Sequence, residues 1–248
     1  MRKQLEIVLA AAILVVAAAM PTAWAAGNDM QSRLEKAVHA YYYGSREEAL
    51  PLLRPLAEAG CAKAQAKLSG LYDQPREHGG DPEKTLRWMQ LAAENGNAEA
   101  QFYMGVSYDF GTLGHASRDF EKALVWYRRA AEQGEPRAMR ELSRMYLAGH
   151  GVQPNQVEAL KWLLLAVPRY PPPTERPAYG AGFDTTGRTE ATAYRARLAD
   201  YLSTKVVTDA ERKAKAWEKA HNYIHRMPKT SDKPLPLWHD RIGGGCED

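Results

Sequence analysis

Little cysteine, little net charge and no long apolar run mark this sequence, and each shortage excludes something. Two cysteines in 248 residues allow at most one disulfide. The balance of 33 Lys+Arg against 30 Asp+Glu leaves a charge of only +3, which excludes the one-sided basic field that grips nucleic acid through its phosphates. The longest uncharged apolar stretch, Ile7 to Met20, has fourteen residues. A spanning helix needs roughly twenty. Signatures of chemistry are also missing: no Gly-x-Ser-x-Gly turn, no Ser-x-x-Lys and no Gly-x-x-x-x-Gly-Lys phosphate loop. "GAGFDT" at Gly180 has two of the three glycines of a dinucleotide turn and no strand before it. His221 and His225 sit one helical turn apart, but they lack a third ligand and an intervening catalytic Glu, so they are expected to be surface histidines. No metal, cofactor or catalytic residue is assigned.

What is present is globular in composition, with 45% hydrophobic and 25% charged residues. Met1-Arg2-Lys3, the apolar run and Ala23-Trp24-Ala25 have the order of a secretory signal peptide, with cleavage expected after Ala25. The remaining chain is then expected to be periplasmic, without stable membrane insertion. In an oxidising compartment Cys61 and Cys246 can form a disulfide that staples the tail to the body. Spacing alone leaves two unpaired thiols as the alternative.

A repeat runs through the middle. Segments starting at Ala62, Ala98 and Pro136 align with a period of 36, stretched to 38 in the second copy. In each first helix an Ala (Ala64, Ala100, Ala138) is followed by Leu68, Met104 or Leu142 and then by Tyr72, Tyr108 or Tyr146, one helical face at i, i+4, i+8. A small residue (Ser69, Gly105, Ser143) lets the second helix approach. That helix starts after Asp81, Asp119 or Asn155, which suit N-caps. It carries Leu-x-Trp, with Trp88, Trp126 and Trp162 expected in the core. The first two copies end on Gly96 and Gly134, fit for a left-handed helix stop.

The flanks extend the pattern. Ser45 to Gly60 matches a second-helix half, with Ser45 and Glu48 as a capping box, although Pro51 and Pro55 should kink that helix or delay its start. The expected organisation is a leader (1–25), N-terminal helices and a half-repeat (26–60), three repeats (61–170), a Pro/Gly-rich loop (171–188), a degenerate helix pair (189–226) and an extended tail (227–248). Thr208 and Glu211 read as the capping box of the last helix.

"GHGVQPNQVEALKW" and "DFEKALVWYRRAAEQGEPRA" resemble the Sel1-like repeat, a relative of the tetratricopeptide repeat. The resemblance implies an all-α, right-handed solenoid of antiparallel helix pairs, non-catalytic, whose first helices line a concave groove for a protein partner. Carried over, tetratricopeptide geometry puts Lys63, Ala66 and Gly70 in the groove, then Glu99, Phe102 and Val106, then Arg137, Arg140 and Arg144. Asp109 joins them on the concave side. Phe102 and Val106 would be exposed apolar residues. The three arginines would either grip carboxylates of a partner or pair locally with Glu135 and Glu141.

The family resemblance further implies a set of roles: an immunity protein against a secreted type VI phospholipase toxin, an envelope scaffold or adaptor for signalling or virulence, or a cell-wall or β-lactam hydrolase. Hydrolase-like members carry a cysteine pair per repeat, which this chain lacks.

Overall fold

The computed structural model describes residues 29–75, 78–112, 117–170, 185–221 and 246. The leader, "GAGFDT" up to Asp184, His225 and the tail other than Cys246 lie outside the described residues. Ten α-helices and no strand are found among those described: α1 over 29–43, α2 Arg46–Glu58, α3 Ala62–Tyr72, α4 Pro82–Glu94, α5 Ala98–Phe110, α6 Phe120–Glu132, α7 Pro136–Ala148, α8 Gln156–Ala166, α9 Thr185–Tyr201 and α10 Thr204–Ala220. They form an all-α solenoid in which α3/α4, α5/α6 and α7/α8 are packed pairs, and each second helix also packs on the first helix of the next copy.

The caps explain the boundaries. Asp81, Asp119 and Asn155 each accept the backbone N–H three residues on, at 3.1, 2.9 and 3.0 Å. At the other end Gly60, Gly96 and Gly134 stand at φ 93, 90 and 95°, a region costly for side-chained residues. The following N–H then reaches back five residues, from Cys61 to Leu56, Asn97 to Ala92 and Glu135 to Ala130. Each hinge between copies thus closes in the same way.

The copies also share a polar elbow. Gln65 and Gln101 donate to the carbonyls of Ala57 and Ala93 in the preceding second helix, and accept from Asn95 and Gln133 at the end of their own. Each Gln thus adds a second bond to a carbonyl of a helix's last turn, which also accepts the N–H of Gly60 or Gly96. In the third copy the position is Met139, fully buried.

Gly105 shows why a small residue stands there. A Cβ on it would meet the Tyr127 ring at 2.5 Å, and Tyr127 is fully buried. Ser69 fills the same position in α3 and donates to the Thr85 carbonyl.

Four expectations are corrected. α2 begins at Arg46 and runs through Pro51 and Pro55. Both prolines face solvent, where water can serve the carbonyls they leave free. Trp162 is buried, but Trp88 and Trp126 are half-buried at the core's edge. In the second and third copies the deep position is the residue after the Trp, since Tyr127 and Leu163 are fully buried, as is Leu53 at the equivalent position of α2, whereas Met89 after Trp88 is half-buried. α9 starts at Thr185, inside the segment expected to be loop. Thr208 is no cap: α10 begins after Ser203, and the Thr208 hydroxyl donates to the Thr204 carbonyl one turn back within the helix.

The array closes differently from the way it repeats. α10 lies directly on α8, with Trp217 edge-on to Trp162 at 6.2 Å and Lys213 paired with Glu158 at 2.7 Å. At the opposite end Cys61, the residue before α3, forms a disulfide with Cys246 across a separation of 185 residues, their Cα atoms 4.5 Å apart.

Candidate functional site on the inner face

First helices of successive copies touch one another, α5 on α7, and side chains bridge them from α1 to α9. Their shared side is the inner face of the stack. The bridges follow a rule of register. Lys67, Tyr103 and Glu141 occupy one position in the three copies; Lys63, Glu99 and Arg137 occupy another, one turn earlier. The first position of one copy bonds to the second position of the next. Lys67 pairs with Glu99 at 3.7 Å, and the Tyr103 hydroxyl accepts from Arg137 Nη1 at 3.2 Å.

Around these rungs the face is densely partnered. Lys67 donates to the Tyr42 hydroxyl at 2.8 Å, with the Tyr41 and Tyr42 rings about its ammonium. Burial acts to lower its pKa, but Glu99 and Tyr42 outweigh that and hold the ammonium above its ordinary value. Arg137 binds Glu135, Nε to Oε1 at 2.8 Å, and lies 3.7 Å from Glu99. Glu135 is only 1% exposed and also accepts the Arg137 backbone N–H, so it serves as the N-cap of α7. Burial pushes its carboxyl above the usual range against the pull of Arg137.

The remaining arginines are engaged as well. Arg140 reaches Glu141 at 3.3 Å and Glu190 of α9 at 3.4 Å. Arg144 binds Glu141 at 2.8 Å and Asp109. Asp109 also accepts from the Tyr127 hydroxyl at 3.3 Å. Burial, with Asp109 beside it, drives the Tyr127 phenol well above its ordinary pKa.

Two expected site residues are therefore not offered to a partner. Phe102 is 8% exposed, because the Arg137 guanidinium covers its ring at 4.5 Å. Asp109 is 3% exposed under Arg144. Val106 is half-buried against the core, and Lys63 and Glu99 are half-exposed on the rim of the ladder. The three arginines are brought together on one face, each held by carboxylates of this chain.

Sequence reasoning missed Lys67, Tyr103 and Glu141. Their signal was available, since they recur at the repeat spacing one residue after Ala66, Phe102 and Arg140. Among the described residues no three His, Cys, Asp or Glu side chains are placed to hold a metal ion, and no helix is long and apolar enough to cross a membrane.

The family model for the Sel1 repeat matches residues 62–97, 98–135 and 136–167, the three copies just described. The chain carries three Sel1 repeats. Its Sel1 fold is similar to that of a protective antigen present in uropathogenic Escherichia coli strains displaying an SLR fold. The TM-score is 0.55 and the identity 26%, over 80% of this chain and 41% of that one. In sequence it is 34% identical over 134 residues to an uncharacterised protein of Neisseria meningitidis, covering 52% of this chain and 27% of the relative. It is 33% identical over 141 residues to HRD3A of Arabidopsis thaliana, an ERAD-associated E3 ubiquitin-protein ligase component, covering 51% and 21%. The Sel1 chain thus spans about a quarter of the length of these relatives.

Proposed function

We propose that this Sel1-repeat chain is a non-catalytic protein-binding module and that the inner face of α3, α5 and α7 takes the partner. The observation that carries the reading is the ladder. Cross-helix bonds from Tyr42 through Lys67, Glu99 and Arg137, and from Arg140 to Glu190, fix five first helices as one surface. A rigid extended surface loses little freedom on binding, which favours recognition over chemistry. The relative HRD3A, a component of a ligase, agrees with a role exercised through other proteins.

The narrower reading, an exported inhibitor of a secreted type VI phospholipase toxin, rests on family resemblance and the leader-like N-terminus alone. Envelope scaffolding rests on the same ground. Purifying the chain from envelope extracts and identifying what remains bound tests all three. A stoichiometric complex with one toxin supports inhibition, and several partners support a scaffold. Turnover of a cell-wall or β-lactam substrate by the purified chain overturns the non-catalytic reading.

A further inference from the structure

Charge does not select a partner on the inner face. Lys67, Arg137, Arg140 and Arg144 meet Glu99, Asp109, Glu135, Glu141 and Glu190 within this chain, and Lys63 brings the two signs level. An acidic segment would have to displace carboxylates already in place, one of them fully buried. A basic segment would face the same obstacle with the cations.

What stands out from that neutral ladder is Tyr103. It is 38% exposed at the middle of α5, whereas Tyr43, Phe110 and Tyr201, the other exposed aromatics on the described first helices, stand at helix ends. Its ring is fixed on two sides, edge-on to Phe102 at 5.3 Å and beside the Arg137 guanidinium at 5.3 Å. Arg137 has only donors, so the Tyr103 oxygen accepts from it and the hydroxyl proton points elsewhere. The cation polarises that hydroxyl and strengthens it as a donor. An ordered aromatic ring with a polar tip is the kind of group that dominates binding at interfaces.

We infer that the partner presents an extended, uncharged segment to this face. Tyr103 is its anchor, donating its hydroxyl proton to a backbone carbonyl of the segment while its ring packs against the neighbouring side chain. This rests on the protein-binding reading and adds the chemistry of the partner.

The test pans a phage-displayed library of random dodecapeptides against the purified chain. Synthetic copies of the selected peptides are then titrated with wild type, Tyr103→Phe and Tyr103→Ala, each variant first checked for a wild-type melting curve. The inference expects a consensus not enriched in charged residues, and a Kd that changes less than about twofold between low and high salt. Tyr103→Phe, which loses only the hydroxyl, should weaken binding roughly three- to tenfold. Tyr103→Ala should weaken it about thirtyfold or more. A charged consensus with steep salt dependence overturns the inference while leaving a binding face, as does full affinity in Tyr103→Ala. A library that yields no binder overturns both this inference and the peptide-binding face beneath it.

Discussion

The second and third copies share one pattern and differ at the positions where they meet. α5 carries Glu99, Phe102 and Val106 where α7 carries Arg137, Arg140 and Arg144. Taken singly, one helix shows an exposed apolar patch and the other a basic stripe. Packed together they complete each other: Arg137 covers Phe102 and faces Glu99, and Arg144 reaches Asp109 at the end of α5. The difference between the copies is the interface between them. An unusual stretch in a repeat is therefore best compared with its neighbour before any outside ligand is invoked.

The largest effect is expected from removing the arginine that serves both helices. Arg137→Ala leaves Glu135 buried without its partner and uncovers Phe102, and should destabilise the fold by about 3–5 kcal/mol in urea unfolding. Glu99→Ala removes two longer contacts, to Lys67 and Arg137 at 3.7 Å each, but leaves Lys67 on Tyr42 and Arg137 on Glu135, and should cost less, about 1–2 kcal/mol. Similar losses for both would contradict a buttressing role for Arg137.

Next in size is the contact between helices of one copy. Gly105→Ala would normally favour a helix by about 1 kcal/mol. Here its Cβ meets Tyr127 at 2.5 Å, so a net loss of about 1–3 kcal/mol is expected. A gain in thermal midpoint would show that α5 and α6 can part without penalty. Gln101→Met, which copies the third repeat's Met139 into the second, should lose about 1 kcal/mol, because it removes a side-chain bond to the Ala93 carbonyl, which keeps the Gly96 N–H, and takes the acceptor from the Gln133 amide. The loss should shrink when Gln133, its other partner, is replaced as well, as a double-mutant cycle would reveal.

The smallest effect is in pH. The Lys122 backbone N–H, and then its ammonium, hold the Asp119 carboxyl below its ordinary value. A depressed carboxylate contributes stability above its unfolded pKa and loses it as pH falls through the folded one. The start of α6 should therefore weaken below about pH 4. Asp119→Asn keeps a good cap that does not titrate. Its melting temperature should match wild type at neutral pH and fall less on acidification to about pH 3. α8 starts on Asn155 and shows no such cap titration. Its acid response comes from Glu158, where burial pushes the carboxyl up but Lys161 and Lys213 more than compensate, leaving it low.

The repeat, its caps and its left-handed glycines were readable because they recur: Ala64, Ala100 and Ala138 bury the same face, and Asp81, Asp119 and Asn155 make the same bond. Periodicity did not say which of two adjacent recurring residues points inward. Trp126 and Tyr127 repeat equally well, and only packing against Gly105 chooses the tyrosine. The inner face was harder still. Phe102 is buried by a residue 35 positions later, and Asp109 is covered by Arg144, also 35 later. Such contacts depend on how copies stack rather than on any pattern within one. Thr208 failed for the opposite reason, since its local motif was sound but Ser203 already opened the helix.

The Cys61–Cys246 bond changes what kind of object the stack is. In an open array each copy feels only its neighbours, and unfolding can begin by peeling from either end. A covalent link over 185 residues makes the last residues of the chain a neighbour of the first copy, turning a line into a loop in its connectivity. Cys246 then stays at α3 until the covalent bond itself is broken. The oxidised chain should melt with the sharpness of a closed system, and the reduced chain with the gradual onset of an open one.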